Sequence, residues 1–465
     1  MQITPTIQAE VQTYLIRKGL TMTEFGHIID LNVGTLSGII TGNRSLSVYQ
    51  LDRITMGMDL PPDYFYERYI DECIEEEPFN WKRISPFLYR CVELGRLDCL
   101  RRVVGMLLDN PVYLPSLFKV AENSFKKGYN EAAAYLYENV AEGEKYQYSD
   151  RLAVCQYRLF TIRVGDDQNQ NLRAASVFEA FVERLDEVEQ LDALKDLANV
   201  YRSLRKWDKV DEMARKMRDK AKIQYTLRHQ QNSREINEAA KKLSRPLFVY
   251  IAYADLLCAN AYEEQGDYEQ ALHYTYAYSN LDWVRETDED AKHWIGLFKH
   301  WSQANILAYR LLSGDIKALY DYVEYIDASS DTTVQDMVTQ LLNIMMMANR
   351  YQIDVHDILK RFETEIDSIT QQEPSADMYT HQVVPEQSTR FKYELAKYYL
   401  NRGRYSIGFK YLLDVLSKSL AINKEAFFIR CIRLFEQFKE FADVKACVKY
   451  ENLVSEGQKE KLFYY

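Results

Sequence analysis

The sequence predicts an all-α protein, a small N-terminal group of short helices followed by a long array of paired helices. Three observations carry this. Gly and Pro are sparse, 17 and 10 in 465 residues, while Leu, Ala, Glu, Lys and Arg mix with aromatic residues over long stretches. Such composition favours helices over strands joined by tight turns. Apolar residues recur at helical spacing near the N-terminus, and from Phe79 onward one pattern of apolar, small and turn residues returns many times. Hydrophobic residues make up 47% of the chain, enough to offset the entropy of ordering it. Its length exceeds one ordinary core and suits a small domain plus an extended array.

The first element runs from Thr6 to Lys18, with Ile7, Val11, Tyr14 and Leu15 on one face and Gly19 as its stop. A second short helix spans Met22 to Ile29, capped by Thr21, with Phe25, Ile28 and Ile29 turned inward. Asn32 is the expected N-cap of a third, Val33 to Ile40, whose Leu36, Ile39 and Ile40 face the core and whose end is marked by Gly42. Two short helices joined by a tight turn, with another packed before them, are the parts of a helix-turn-helix. Leu51, Ile54 and Met58 continue a fourth helix, which Pro61 and Pro62 are expected to stop. Five acidic residues in Asp71 to Glu77, followed by Pro78, read as a connector. The expected domains are therefore 1–70, a connector at 71–78, and 79–465.

Leu20 to Ser45, LTMTEFGHIIDLNVGTLSGIITGNRS, resembles the XRE-type helix-turn-helix of phage repressors without a gap. Phe25, Ile29, Leu31, Leu36 and Ile39 fall on its core positions, and Gly42 on its terminating glycine. The resemblance implies base readout in double-stranded DNA by Asn32, Val33, Gly34, Thr35, Ser37 and Gly38. It implies phosphate contact by Thr21, Met22, Asn43 and Arg44. Val33, Gly34 and Gly38 stand where Arg, Ser or Gln is common, so this helix offers few bidentate donors to a base. Reading would lean on Asn32, Thr35, methyl contacts and DNA shape. The alternative reading is a helix-turn-helix kept for docking or dimerisation.

Charge weighs against general adhesion to nucleic acid. The net charge is −11, and the first 70 residues carry five basic side chains against seven acidic ones. A dimer on two half-sites is the arrangement that compensates for so weakly charged a head. The seven cysteines are odd in number and form no C-x-x-C pair, as expected of reduced, packed thiols. The N-terminus shows neither a basic start nor an apolar run, and no stretch is long enough for a membrane span, so a soluble cytoplasmic protein is expected.

The clearest repeat is Tyr253 to Leu281, where Ala259 and Ala271 allow close helix approach, Tyr262 and Tyr268 fill the space between, and Gly266-Asp267 turns. This resembles the tetratricopeptide repeat. Weaker copies align on turns at Gly95, Gly128, Arg205, Gly314, Gly403 and Lys439, with room for two degenerate units near Gly165 and Asn349. About nine helix pairs are thus expected, coiling into a right-handed superhelix with a concave inner surface. Longer loops are expected at Lys222 to Arg245 and at Thr370 to Gln387, which holds Pro374 and Pro385.

The repeat resemblance assigns four positions of each first helix to that surface. They are Asp192, Lys195, Asn199 and Arg202 in one unit, Tyr253, Leu256, Asn260 and Glu263 in another, and Asp336, Thr339, Asn343 and Met346 in a third. Asparagine recurs at the third of these positions. Its side chain both donates and accepts, so a ladder of Asn199, Asn260 and Asn343 suits a peptide backbone. Lys195 or Arg202 can hold a carboxylate terminus, and Asp192 or Glu263 an amino terminus.

Taken whole, the chain is similar to the RRNPP family of Gram-positive peptide-pheromone receptors, and within it to the arbitrium-type receptors of phages. The resemblance implies quorum-sensing control of transcription, a homodimer joined through C-terminal repeats, and a short signalling oligopeptide as ligand. The peptide is expected to tighten or twist the array and so reset the spacing of two DNA-binding heads. The alternative is a peptide-controlled interaction regulator or scaffold without sequence-specific DNA binding. No phosphate-cradling loop, H-E-x-x-H, nucleophile elbow or paired-Cys metal site occurs, so neither an enzyme nor a cofactor is expected. His293 and His300 share a helical face but lack the further ligands a metal needs.

Overall fold

A computed structural model describes residues 5–75, 79–146, 149–230, 243–328, 333–371, 378–421 and 425–462. Among these residues every regular element is a helix. None is long and apolar enough to cross a membrane. The chain forms two compact units, residues 1–164 with 176–185, and residues 165–175 with 186–465.

The first unit opens with α1 (Ile7–Lys18), α2 (Met22–Ile28), α3 (Val33–Ile40) and α4 (Val48–Gly57). The local signals act as their chemistry dictates. The Thr6 hydroxyl caps α1, and Gly19 closes it at φ 67°, a conformation open to glycine without penalty. Thr21 and Glu24 form a reciprocal capping box on α2. Leu36, Ile39 and Ile40 of α3 are buried with Phe25 and Ile29. Ile28, expected inward, is 58% exposed, because α2 ends there and only Phe25 and Ile29 reach the core. The fourth helix stops before Pro61: Met58 ends it and Asp59 takes the left-handed conformation at φ 60°.

Beyond α4 the same core continues. Short α5 (Tyr66–Tyr69) passes into a wider π-helical turn, Ile70–Ile74, and is succeeded by α6 (Trp81–Glu93), α7 (Leu97–Leu108), α8 (Leu114–Lys126), α9 (Asn130–Gly143) and α10 (Asp150–Arg163). One hydrophobic cluster runs from Ile7 to Leu159. Buried Asp52 of α4 accepts hydrogen bonds from the Tyr66 hydroxyl and from Arg90 Nε of α6, each at 2.8 Å, tying the opening helices to α5 and α6. The acidic stretch expected as a connector does not separate compact units. Its described part is helical as far as Ile74, which is buried, and Asp71 and Glu75 pair with Arg102 of α7. Residues 76–78 of that expectation lie outside the described residues.

The chain passes between the units after residues 164, 175 and 185, the second of these places lying within α11 (Gln168–Glu179). The second unit continues with α12 (Glu187–Ser203), α13 (Trp207–Gln230), α14 (Leu247–Gln265), α15 (Tyr268–Ser279), α16 (Glu289–Leu312) and α17 (Ala318–Ala328). Then come α18 (Val334–Tyr351), α19 (His356–Arg361), α20 (Glu363–Gln371), α21 (Met378–Asn401), α22 (Tyr405–Ala421), α23 (Glu425–Phe438) and α24 (Val444–Leu462). From α12 to α16 each helix packs on the next, and α12 also touches α14, α14 touches α16, and α16 touches α18. Helix α21 packs on α18, on α22 and on α12, so elements far apart in sequence meet.

The turns between paired helices are set by left-handed residues. Gly95, Gly128, Gly266, Gly314 and Gly403 all have positive φ, and Arg205 takes the same conformation without being glycine. The turn expected near Asn349 is made by Gln352, also left-handed. Lys439 instead sits in a short 3₁₀ turn, Lys439–Phe441. Two expected loops are partly helix: α13 runs on to Gln230, and α21 starts at Met378 and passes through position 385. Residues 231–242 and 372–377 of those expectations, Pro374 included, lie outside the described residues.

Candidate functional site

In the first unit, Asn32 and Thr21 are exposed N-caps. Asn32 Oδ1 accepts the N–H groups of Gly34 at 2.9 Å and Thr35 at 3.4 Å, so its carbonyl serves the start of α3. A side chain on Gly34 would press on that oxygen, at 3.2 Å from an added Cβ. Thr21 accepts from the Glu24 N–H, and Glu24 is held below the usual carboxylate range by hydrogen bonds from the Thr21 backbone and hydroxyl.

Gly38 has a defined structural task. The loop after α3 folds back so that the Arg44 N–H donates to the Gly38 carbonyl at 2.9 Å and Arg44 Nη1 donates to Thr35 Oγ1 at 3.0 Å. A Cβ on Gly38 would lie 3.2 Å from Arg44 Cβ. Glycine there lets the arginine lie along the exposed face of α3. Ser37 and Val33 are half-buried, and Asn43 Nδ2 donates to Thr41 Oγ1 at 3.1 Å. Of the nearby basic residues, Arg53 pairs with Asp30. Of the residues expected to meet DNA, Asn32, Gly34, Thr35, Gly38 and Arg44 adjoin one another on α3 and the loop after it.

In the second unit the expected inner-face residues join helices to one another. Asn199 of α12 accepts the Tyr253 hydroxyl of α14 at 2.5 Å. Asn260 of α14 donates through Nδ2 to the Tyr309 hydroxyl of α16 at 3.5 Å, and Tyr309 in turn donates to Glu263 Oε2 at 2.9 Å. Asn343 of α18 donates to the Tyr322 hydroxyl of α17 at 3.4 Å. Asn305 of α16 donates to the Tyr278 hydroxyl of α15 at 2.8 Å. The ladder is thus one of asparagine and tyrosine pairs.

Several expectations change in consequence. Asn343 is 4% exposed, so its amide faces the protein interior and is not offered to an inner surface. Asp192 is occupied: it accepts from the hydroxyls of Ser244 and Tyr250, which fasten the start of α14 to α12. Lys195 is drawn to Asp192 and Asp196, which hold its ammonium charged against the opposing effect of burial. Thr339 donates to Gln387 at 3.2 Å, and Asp336 forms the capping box of α18 with Thr333. Asn199, Arg202, Tyr253, Asn260 and Glu263 all keep some accessible surface.

Glu263 differs from its neighbours. It is crowded by protein, and burial, with the charge of Glu264 beside it, pushes its carboxyl up to about 7 against the opposing pull of Tyr309, Arg390 and Arg202. Glu264 is held by two guanidinium groups, those of Arg205 and Arg390, the latter at 2.6 Å. Arg205 also reaches Glu386 of α21 at 2.6 Å. Four side chains from the α12–α13 turn, α14 and α21 therefore form one charged clasp. Buried Tyr278, Tyr309 and Tyr322 are all pushed above the usual phenol range, burial first and the Glu263 charge contributing.

Position-by-position repeat logic missed Tyr309, Tyr322, Tyr278, Asn305, Arg390 and Glu386. The count of 36 tyrosines was the available signal, because a buried phenol needs a polar partner and asparagine supplies one. His300, one of the histidine pair, has its ring Nδ1 2.9 Å from the Tyr325 hydroxyl. Among the described residues no group of three or more His, Cys, Asp or Glu side chains can hold a metal ion.

No protein-family model and no curated protein matches the chain. Among solved structures, the chain is similar to one described as a circular tandem repeat protein with novel repeat topology and enhanced subunit contact surfaces. Identity is 12%, the match covers 98% of this chain and 90% of the other, and the TM-score is 0.16. A likeness of that size says nothing about fold or function.

Proposed function

We propose that the chain is a transcription regulator that binds operator DNA through α2 and α3 and is controlled by a short peptide bound among the polar inner residues of the second unit. The observation that carries the peptide half is the polar chain Asn260–Tyr309–Glu263, with Asn199–Tyr253 beside it, on helices that pack side by side. Such groups hold backbone amides and charged termini with fixed geometry. In this reading the paired helices are degenerate tetratricopeptide-like units and the relation is to RRNPP-type receptors.

The DNA half rests on α2 and α3 joined by a tight turn, with Arg44 hydrogen-bonded to Thr35 of α3. Arg44 is the natural phosphate or base-edge contact, since it projects from the same face as Thr35. A homodimer supplies the second half-site. The exposed apolar side chains Ile407, Ile429, Phe441, Val444 and Val448 on α22 to α24 support pairing through that end.

A second reading, a peptide-controlled protein-interaction regulator, is favoured by charge. The first 70 residues are slightly acidic, and Arg53 and Arg68 are already paired with Asp30 and Glu10. Sequencing the DNA that co-purifies with the protein from its native cell separates the two. Under the first reading a few fragments are enriched, and they are lost in Arg44→Ala. Absence of enrichment for a folded protein rejects it and favours the second.

A further inference from the structure

We propose that Glu263 and Asn260 form a subsite for a cationic N–H donor, an ammonium or guanidinium group carried by the peptide; this rests on the peptide reading above. Hydrogen-bond supply is the first reason. Asn260 Oδ1 is buried and has no hydrogen-bond partner, although the other end of the same amide donates to Tyr309. A buried acceptor without a donor is costly and calls for an explanation. The Tyr309 hydroxyl passes its own hydrogen to Glu263 Oε2. The chain of bonds therefore runs in one direction, from amide to phenol to carboxylate, and leaves acceptors at both ends.

Charge supply points the same way. Glu264 is paired with Arg205 and Arg390, and Glu386 with Arg205. Among the described residues Glu263 has no ion-pair partner, and a neutral phenol is its hydrogen-bond donor. The charged and titratable groups that face it are Glu264, Arg390 and Arg202, with the phenols of Tyr309, Tyr278, Tyr322 and Tyr268. Arg390 is engaged by Glu264, and Arg350 lies over the Tyr268 ring. A ligand cation provides what this carboxylate lacks, and its N–H groups provide what Asn260 Oδ1 lacks.

Binding then ionises Glu263, whose proton passes to the buffer. Because the free carboxyl stands at about 7, affinity for a guanidinium rises as pH goes from 6 to 8 and levels off above, whereas affinity for an N-terminal ammonium, which itself loses its proton at about pH 8, falls again above that. An N-terminal ammonium and a basic side chain are both sources of such a cation, and the test separates them.

Four synthetic hexapeptide pools are passed over immobilised full-length protein and the retained peptides quantified. One has free N-termini and no basic residue, one has acetylated N-termini and a single arginine, one has citrulline in place of that arginine, and one is acetylated and uncharged. At least one cationic pool is expected to be retained ten-fold or more above its neutral counterpart, more so at pH 8 than at pH 6. Glu263→Gln is expected to remove the preference while keeping the same circular dichroism, and Asn260→Asp to widen it. Equal retention of all pools, or an unchanged preference in folded Glu263→Gln, overturns the subsite and leaves the peptide reading standing. No retention of any pool overturns both.

Discussion

Glu263 ties the asparagine and tyrosine network of the second unit to a measurable property of the fold. An ordinary glutamic acid titrates near 4.5, and here the folded value is about 7. The fold thus prefers the protonated form. Its contribution to stability is full below about 4.5 and is lost as pH rises through 7. Glu263→Gln mimics the protonated group, so it should melt at a higher temperature than the parent at pH 8 and at nearly the same temperature at pH 5. A displacement of this size corresponds to on the order of 3 kcal/mol at the alkaline end. A variant that is less stable at pH 8 would show that the carboxylate is satisfied in the fold. The raised carboxyl of Glu263 was not legible, because it comes first from burial among neighbouring helices and then from the charge of Glu264, and repeat spacing shows neither. The caps Thr21 and Asn32 were legible, being local. The seat of Arg44 over Gly38 was not, since it needs the loop to fold back.

Helices and their turns were mostly visible in the sequence where the signal is short-range. Gly95, Gly128, Gly266, Gly314 and Gly403 turn as expected. Arg205 aligns as a turn despite lacking glycine, and its left-handed backbone is what that position requires. Arg205→Ala and Arg205→Gly both remove the clasp to Glu264 and Glu386, but only glycine relieves the backbone. The glycine variant should therefore be the more stable of the two by about 1 kcal/mol in denaturant unfolding. Equal stability would mean that the turn relaxes once the ion pairs are gone. Close approach between elements was less legible. Gly57 ends α4 against Ile29, and a Cβ there would meet Ile29 Cγ2 at 2.1 Å. Gly57→Ala should destabilise the first unit by ~1–3 kcal/mol, read from its thermal unfolding, since the core residue must shift. No loss would show that α4 moves freely away. Pro61-Pro62 looked like the stop of that helix, yet the packing of Gly57 and the turn at Asp59 end it first.

At the scale of the molecule, composition and periodicity sufficed for the all-helical class, whereas the division into units did not track the acidic stretch. Charge runs look like linkers in a sequence, but Asp71 and Glu75 have Arg102 to pair with and Ile74 has a core to enter. The first unit therefore unites the opening helices with α6 to α10 around one core, and the second carries the asparagine, tyrosine and carboxylate network. The central claim is that a peptide in that network controls DNA binding by the opening helices. Its most direct test is the affinity of the full chain for its co-purified DNA, measured with and without peptides encoded by short reading frames beside its gene. One peptide is expected to change that affinity ten-fold or more, in either direction, and Glu263→Gln to blunt the change without altering affinity in the peptide's absence. A peptide that binds the second unit yet leaves DNA affinity unchanged would contradict the claim.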